Sequence, residues 1–356
     1  MTTGAHRGAL GLLVLVSLLA AAAPATADQA GALASAPDVP RLLERASAAQ
    51  HQLAYSGTQI VSSWSPDQTG SALLDVVHEP GRGLTTRPHD ADSGTTGEVH
   101  DDDLTTPDQP SGTAYLAEAA EGMPAPLSLL LAHYAVALDQ GGQVAGRPVT
   151  SLVLRRGARP AARLWLDDAT GLLLRREVYD MSGRTTGAMA FLEVTITPSA
   201  TTGARRAAPS TRTPAEGAAA VRRAGWACPS LIGSDLVLYD ARTVSEPPVS
   251  PIMHLSYSDG LSSLSVFQQR GRLDPAALAG YDVQDVGGHR LRVRHGLQTQ
   301  AVWQSGDTVV TVITDQPAWQ LADVVAAMPA SQNAGGWLTS ASRTVLSAAR
   351  WLTPLR

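Results

Sequence analysis

Residues 163–180 constrain the fold of this chain more than any other stretch. Two apolar-rich runs flank Asp167, Asp168, Ala169, Thr170 and Gly171, a cluster of turn formers. Gly171 can take the left-handed backbone that such a short loop requires. The pattern predicts a β-hairpin. Strand side chains alternate between faces, which puts Ala162, Leu164 and Leu166 on one side with Leu172, Leu174 and Val178. Arg163, Asp167, Arg175 and Glu177 then lie on the other side. One apolar face and one wet face is the signature of an antiparallel sheet wrapped over something apolar, either a core or a ligand.

The rest of the first half follows the same grammar. Asp38 can cap a helix that has Pro40 in its first turn and Leu42, Leu43, Ala46, Ala49 and Leu53 at helical spacing. Strands are expected over 55–64 and 72–78, joined by a turn at Ser65, Pro66 and Asp67. Between 79 and 113 periodicity is lost and Gly, Thr, Pro and Asp dominate. His89, Asp90, His100 and Asp101 are metal-ligand types, but no spacing fixes them on a rigid element, so a solvated loop is expected. Residues 124–133 read as a short apolar helix carrying Leu127, Leu129, Leu130 and Leu131. Strands at 134–138 and 147–155, with a Gly141-Gly142 turn between them, lead into the hairpin. A last strand, 187–197, closes this half through Met189, Phe191 and Val194.

Residues 198–223 are rich in Ala, Thr, Pro and Arg without apolar periodicity, and read as an interdomain linker. Its arginines, Arg205, Arg206, Arg212, Arg222 and Arg223, suit either simple solubility or an anionic lipid or acidic partner. The second half brings strands at 252–257 and 261–267 around Ser258, Asp259 and Gly260, read as a turn. A Gly287-Gly288 turn precedes 291–294, and 301–303 pairs with 308–313 across Ser305, Gly306 and Asp307. Asp315 and Pro317 then head a helix through Leu321, Val324 and Val325. The tail, 336–356, carries Trp337, Leu338, Val345, Leu346, Trp351 and Leu352 with Arg343, Arg350 and Arg356 and no acid. Such a basic amphipathic helix either lies on a membrane surface or packs on its own domain.

A hydrophobic share of 44% with 17% charge is that of a globular chain, and the net charge of -5 argues against nucleic acid as partner. Every basic residue is Arg, with Ala and Gly abundant, a composition of actinobacterial appearance. His6 and Arg7 precede an apolar run from Gly8 to Ala23 that ends in Ala25-Thr26-Ala27. This reads as a signal peptide, 1–27, with Asp28 as the new N-terminus; an uncleaved anchor is the alternative. The lone Cys228 has no intramolecular partner and is read as a buried thiol, with an intermolecular disulfide or a redox role as the alternatives.

Catalysis needs reactive groups at defined spacings, and those spacings are missing. There is no Gly-x-Ser-x-Gly elbow, no His-Glu-x-x-His, no phosphate-cradling Gly-rich loop and no Cys/His zinc pattern. His78-Glu79 is followed by Pro80 and lacks a second His at helical spacing. No catalytic residue, metal ligand or cofactor is assigned.

Four segments in order resemble the MucB/RseB family of sigma-E regulators. They are 42–60, Val144 to Pro148, 163–183 and 257–267, and the resemblance spans about Val39 to Met328. It implies an exported, non-enzymatic regulator of the envelope stress response. The fold implied is α+β and mostly antiparallel: a LolA-like, incompletely closed β-barrel with helices, followed by a smaller α+β domain. Such a regulator binds the extracytoplasmic part of a membrane anti-sigma factor, shields it from regulated proteolysis and releases it on a lipid or lipoprotein signal. The family is best understood in a Gram-negative periplasm, so outer-membrane signals need not carry over.

The expected layout is 1–27 signal peptide, 38–198 N-terminal domain, 199–223 linker, 224–330 C-terminal domain and 331–356 basic tail. Leu127, Leu130, Leu131, Leu164, Leu166, Leu172, Leu174 and Val178 are the candidates for an apolar barrel face, which is either an acyl-chain pocket or a dry core. Tyr257, Asp259 and Phe267 are the candidates for contact with the partner. The location implied is the extracytoplasmic face of the membrane or a periplasm-like space. The alternative function is a LolA-like carrier of lipid or lipoprotein.

Overall fold

The computed structural model describes residues 39–65, 69–89, 127–197, 213–243, 251–315 and 320–328. The expected signal peptide, the greater part of the 79–113 loop and the basic tail lie outside them.

Two eight-stranded antiparallel sheets follow one another along the chain. The first is built from β1 (Ala54–Trp64), β2 (Thr69–Glu79), β3 (Gly83–Pro88), β4 (Ala135–Val144), β5 (Arg147–Arg156), β6 (Arg159–Asp167), β7 (Leu173–Tyr179) and β8 (Thr185–Thr197). Its order is β3-β2-β1-β8-β7-β6-β5-β4, so β3 and β4 are the free edges and the sheet stays open between them among the described residues. Helix α1 (Val39–Gln52) turns Val39, Leu43, Ala46 and Ala49 inward at helical spacing. Those side chains join one core with Leu74 and Leu84 from one edge and Val136 and Leu152 from the other, as expected of a sheet curved around its helix. Leu43 alone, fully buried, contributes about 1.5–3 kcal/mol. The short α2 (Leu127–His133) buries Leu130 in the same core.

The hairpin of residues 163–180 is present as β6 and β7. Gly171 has φ +83° and its N–H donates to the Asp167 carbonyl at 2.7 Å. Asp167, expected on the wet face, is only 2% exposed. Its carboxylate takes Arg147 Nε at 2.7 Å and Nη2 at 3.0 Å, together with the N–H and hydroxyl of Thr170. A turn-forming side chain thus becomes the staple between this turn and β5.

The second sheet has the order β13-β14-β15-β16-β12-β11-β10-β9. Its strands are β9 (Leu231–Ile232), β10 (Leu236–Thr243), β11 (Ile252–Ser258), β12 (Ser263–Arg270), β13 (Asp282–Val286), β14 (His289–Arg294), β15 (Thr299–Ser305) and β16 (Thr308–Thr314). Trp303 opposite Val310 and Ser305 opposite Thr308 set the expected β15–β16 register. Helices α3 (Pro214–Arg223) and α4 (Leu321–Ala327) pack on one face, where Trp303, Leu255, Val266 and Val312 form a second core.

Four expectations are corrected. β3 lies within the stretch read as a loop, and its period is masked because Thr85 and Thr86 are buried beside Leu84. Gly141 and Gly142 sit within β4 where its register shifts, and the turn falls at Ala145 and Gly146, both at positive φ. The stretch read as linker contains α3, which buries Gly217, Ala218 and Val221. Its start is a capping box, Thr213 Oγ1 accepting the Glu216 N–H and the Glu216 carboxylate accepting the Thr213 N–H. Asp315 does not cap α4; it accepts the Ser263 N–H at 2.9 Å. β9, β10 and β13 were not anticipated.

Candidate functional site

The inner face of the first sheet is where the apolar candidates meet. Leu164, Leu166, Leu172 and Leu174 are buried in one core with Leu130 of α2, and Leu127 and Val178 pack at its margin. Leu131 points away and is 45% exposed. It helps to line an open cavity of about 440 Å³ at the start of α1, with Val39, His133, Val136 and Arg155. The interior is not wholly apolar. Gln59 Oε1 and Thr86 Oγ1 are buried and have no hydrogen-bond partner among the described residues.

Three partner candidates lie in the second sheet or its loops. Tyr257 is fully buried in the second core and its hydroxyl donates to the Pro229 carbonyl at 2.9 Å. Burial pushes the pKa of that phenol far above its ordinary value. Phe267 is half-buried and stacks on His254 with centroids 4.4 Å apart. Asp259 is 4% exposed, at the tip of the β11–β12 hairpin. That tip sets most of the local geometry.

The tip reaches into the first sheet. Asp259 Oδ1 accepts the N–H groups of Leu261 and Ser262, which locks the turn. Its other oxygen accepts the Tyr134 hydroxyl at 2.5 Å and Arg156 Nη2 at 2.7 Å. Arg156, at the end of β5, also donates to Asp235 at 2.5 Å and to the Tyr134 oxygen at 2.7 Å, and lies over the Tyr134 ring. Burial opposes the Arg156 charge, but Tyr134, Asp259 and Asp235 outweigh it and hold the guanidinium's pKa above its usual value. The Tyr134 phenol is raised by burial first and by Asp259 second, so it stays a donor.

Beyond Asp259, Gly260 lies against α2 and Leu261 is 5% exposed within the core of the first sheet. Its carbonyl accepts Arg176 Nη2, and Arg176 also lies 3.6 Å from Asp315. A second contact joins the Ser63 hydroxyl to the Gly296 carbonyl at 2.8 Å, with Leu297 packed on the first core. The two sheets therefore share a built junction: arginines and a tyrosine from the first, aspartates and a leucine from the second.

Arg156, Tyr134, Arg176, Asp235 and Leu261 escape a reading of motifs. Arg176 carried a signal, because period two puts it on the Leu174 and Val178 face, where an arginine needs a partner. Arg156, at a strand end, carried none.

The architecture defines a class: an open antiparallel β-sheet around a helix, joined through side-chain contacts to a second antiparallel sheet that carries its own helices. Residues 104–213, a stretch that holds α2 and β4 to β8, match the family model of the MucB/RseB N-terminal domain. No curated protein matches the sequence. Among solved structures the chain is similar to MucB in the Pseudomonas aeruginosa MucA/MucB complex, at 19% identity and TM-score 0.43, covering 82% of this chain and 98% of that one. It is similar to MucB alone at 18% identity and TM-score 0.44, covering 83% and 98%. The LolA superfamily protein NE2245 from Nitrosomonas europaea aligns at 8% identity and TM-score 0.18, covering 77% and 90%. No helix among the described residues is long and apolar enough to cross a membrane.

Proposed function

We propose that the protein is a non-enzymatic regulator that acts outside the cytoplasmic membrane. It binds the extracytoplasmic part of a membrane anti-sigma factor and controls that factor's proteolysis. The observation that carries this reading is the match of residues 104–213 to the family model of the MucB/RseB N-terminal domain. The curved first sheet supports it, since an apolar inner face under helices suits a sensor of lipid or lipoprotein.

The domain plan proposed with it is a leader over 1–27, a first domain over 38–198 and a second over 224–330, with α3 belonging to the second core. Tyr257, fully buried, serves the partner surface by holding β11 in place, and Phe267, beside His254, offers the more accessible ring.

The test is a pull-down of the mature chain from membrane extract, with bound proteins and extractable lipids identified by mass spectrometry. The expected result is a single-pass anti-sigma factor that added lipid displaces. Stoichiometric lipid with no such membrane protein would overturn regulation in favour of a LolA-like carrier.

A further inference from the structure

We infer that the 258–262 hairpin tip is an intrachain plug, a built-in occupant of the mouth of the first sheet that must withdraw before the interior admits a ligand. It rests on the reading of that interior as a ligand site and adds how access to it is controlled.

The tip is made like a ligand. It carries one carboxylate, Asp259, next to one apolar group, Leu261, and delivers both into the other layer. The receiving side is made like a receptor. Arg156 and Tyr134 take the carboxylate at 2.7 and 2.5 Å, α2 lies under Gly260, and the apolar core takes Leu261. Arg176 is 9% exposed on an apolar face, and the Leu261 carbonyl is one of its acceptors there.

Without the tip, Arg156 would keep Asp235 and Arg176 would keep Asp315, but each would lose the acceptor that the tip supplies, and the apolar core would lose Leu261. Withdrawal therefore favours an entering group that restores both features: an anion joined to an apolar body. The orphaned oxygens of Gln59 and Thr86 on the same inner face would accept from a donor carried deeper by that body. The chemistry recognised is therefore that of a small anionic amphiphile, and the tip competes with it directly.

The test uses the mature chain and the anionic apolar dye 1-anilinonaphthalene-8-sulfonate, read by fluorescence titration. Asp259→Asn removes the charge from the plug and leaves an oxygen for the turn. Leu261→Ala withdraws its apolar part. Each is expected to tighten dye binding at least about tenfold over the parent, because the apparent affinity rises as the open fraction rises. Leu291→Ala, a truncation in the second core on β14, three strands from β12, is expected to give no such gain. Equal gains from all three variants, or no gain from Asp259→Asn and Leu261→Ala, would overturn the plug.

Should the variants fail to fold, hydrogen exchange of the parent chain decides. Saturating dye is expected to deprotect the amides of Leu261 and Ser262 while β6 and β7 keep theirs, and dye binding with unchanged protection overturns the proposal. Failure of the regulator reading is distinguishable, since a chain that gains dye binding in both plug variants and captures no anti-sigma factor keeps its plug and loses only its partner.

Discussion

Gly260→Ala separates the seating of the hairpin tip from ordinary turn strain. Gly260 has φ +95°, and a Cβ placed on it would lie 2.7 Å from Leu130 Cβ and closer still to the Leu130 backbone. The left-handed backbone costs an alanine about 1–2 kcal/mol. Forcing the tip off α2 costs about 1–3 kcal/mol more, in the manner of overpacking a filled core. The total loss expected is therefore about 2–5 kcal/mol. Gly288→Ala is the control: φ is +80°, nothing lies within 4 Å of its added Cβ, and only the strain of about 1–2 kcal/mol applies. Urea unfolding followed by circular dichroism and by tryptophan fluorescence measures both, with coincident transitions and equal slopes required before free energies are compared. Equal losses in the two variants would refute the reasoning, because they would mean that the tip does not rest on α2.

Three further outcomes are expected. Asp167→Ala strands the Arg147 guanidinium and the Thr170 groups, and a loss of about 2–4 kcal/mol in the same unfolding assay is expected, moderated by the partial exposure of Arg147. Burial would raise the Asp167 carboxyl, but the hydrogen bonds from Arg147 and Thr170 win and hold it below the ordinary range, so its contribution is present above about pH 4 and fades as pH falls further. His254 is buried, and burial first, with Arg242 second, lowers its pKa to about 3. The unfolded chain then binds the extra proton below about pH 6.5, so stability falls from there towards pH 3, by about 2 kcal/mol at pH 5, and His254→Leu should abolish that part of the slope. Thr213→Ala removes one arm of the α3 capping box and should cost about 1 kcal/mol, read as a lower urea midpoint.

Local chemistry carried far in this chain. The 163–180 hairpin, the β15–β16 register and the inward face of α1 were legible because each is written in a short-range period that burial rewards. Thr213 and Glu216 announced α3 as plainly as any helix, yet the Ala- and Pro-rich composition around them reads as linker unless the capping spacing is weighed. β3 stayed hidden because a threonine can be buried as deeply as a leucine when a neighbouring strand satisfies its backbone.

What the sequence by itself determined is the antiparallel class, the apolar inner face and the turn at Ser258, Asp259 and Gly260, all set by residues close in the chain. The tertiary structure alone decided what that turn does. Asp259 meets Tyr134 and Arg156 across more than a hundred residues, and Leu261 enters a core to which its own strand pair does not belong. No local period encodes such a meeting, because it depends on how two curved sheets stack and on which buried charges then find partners.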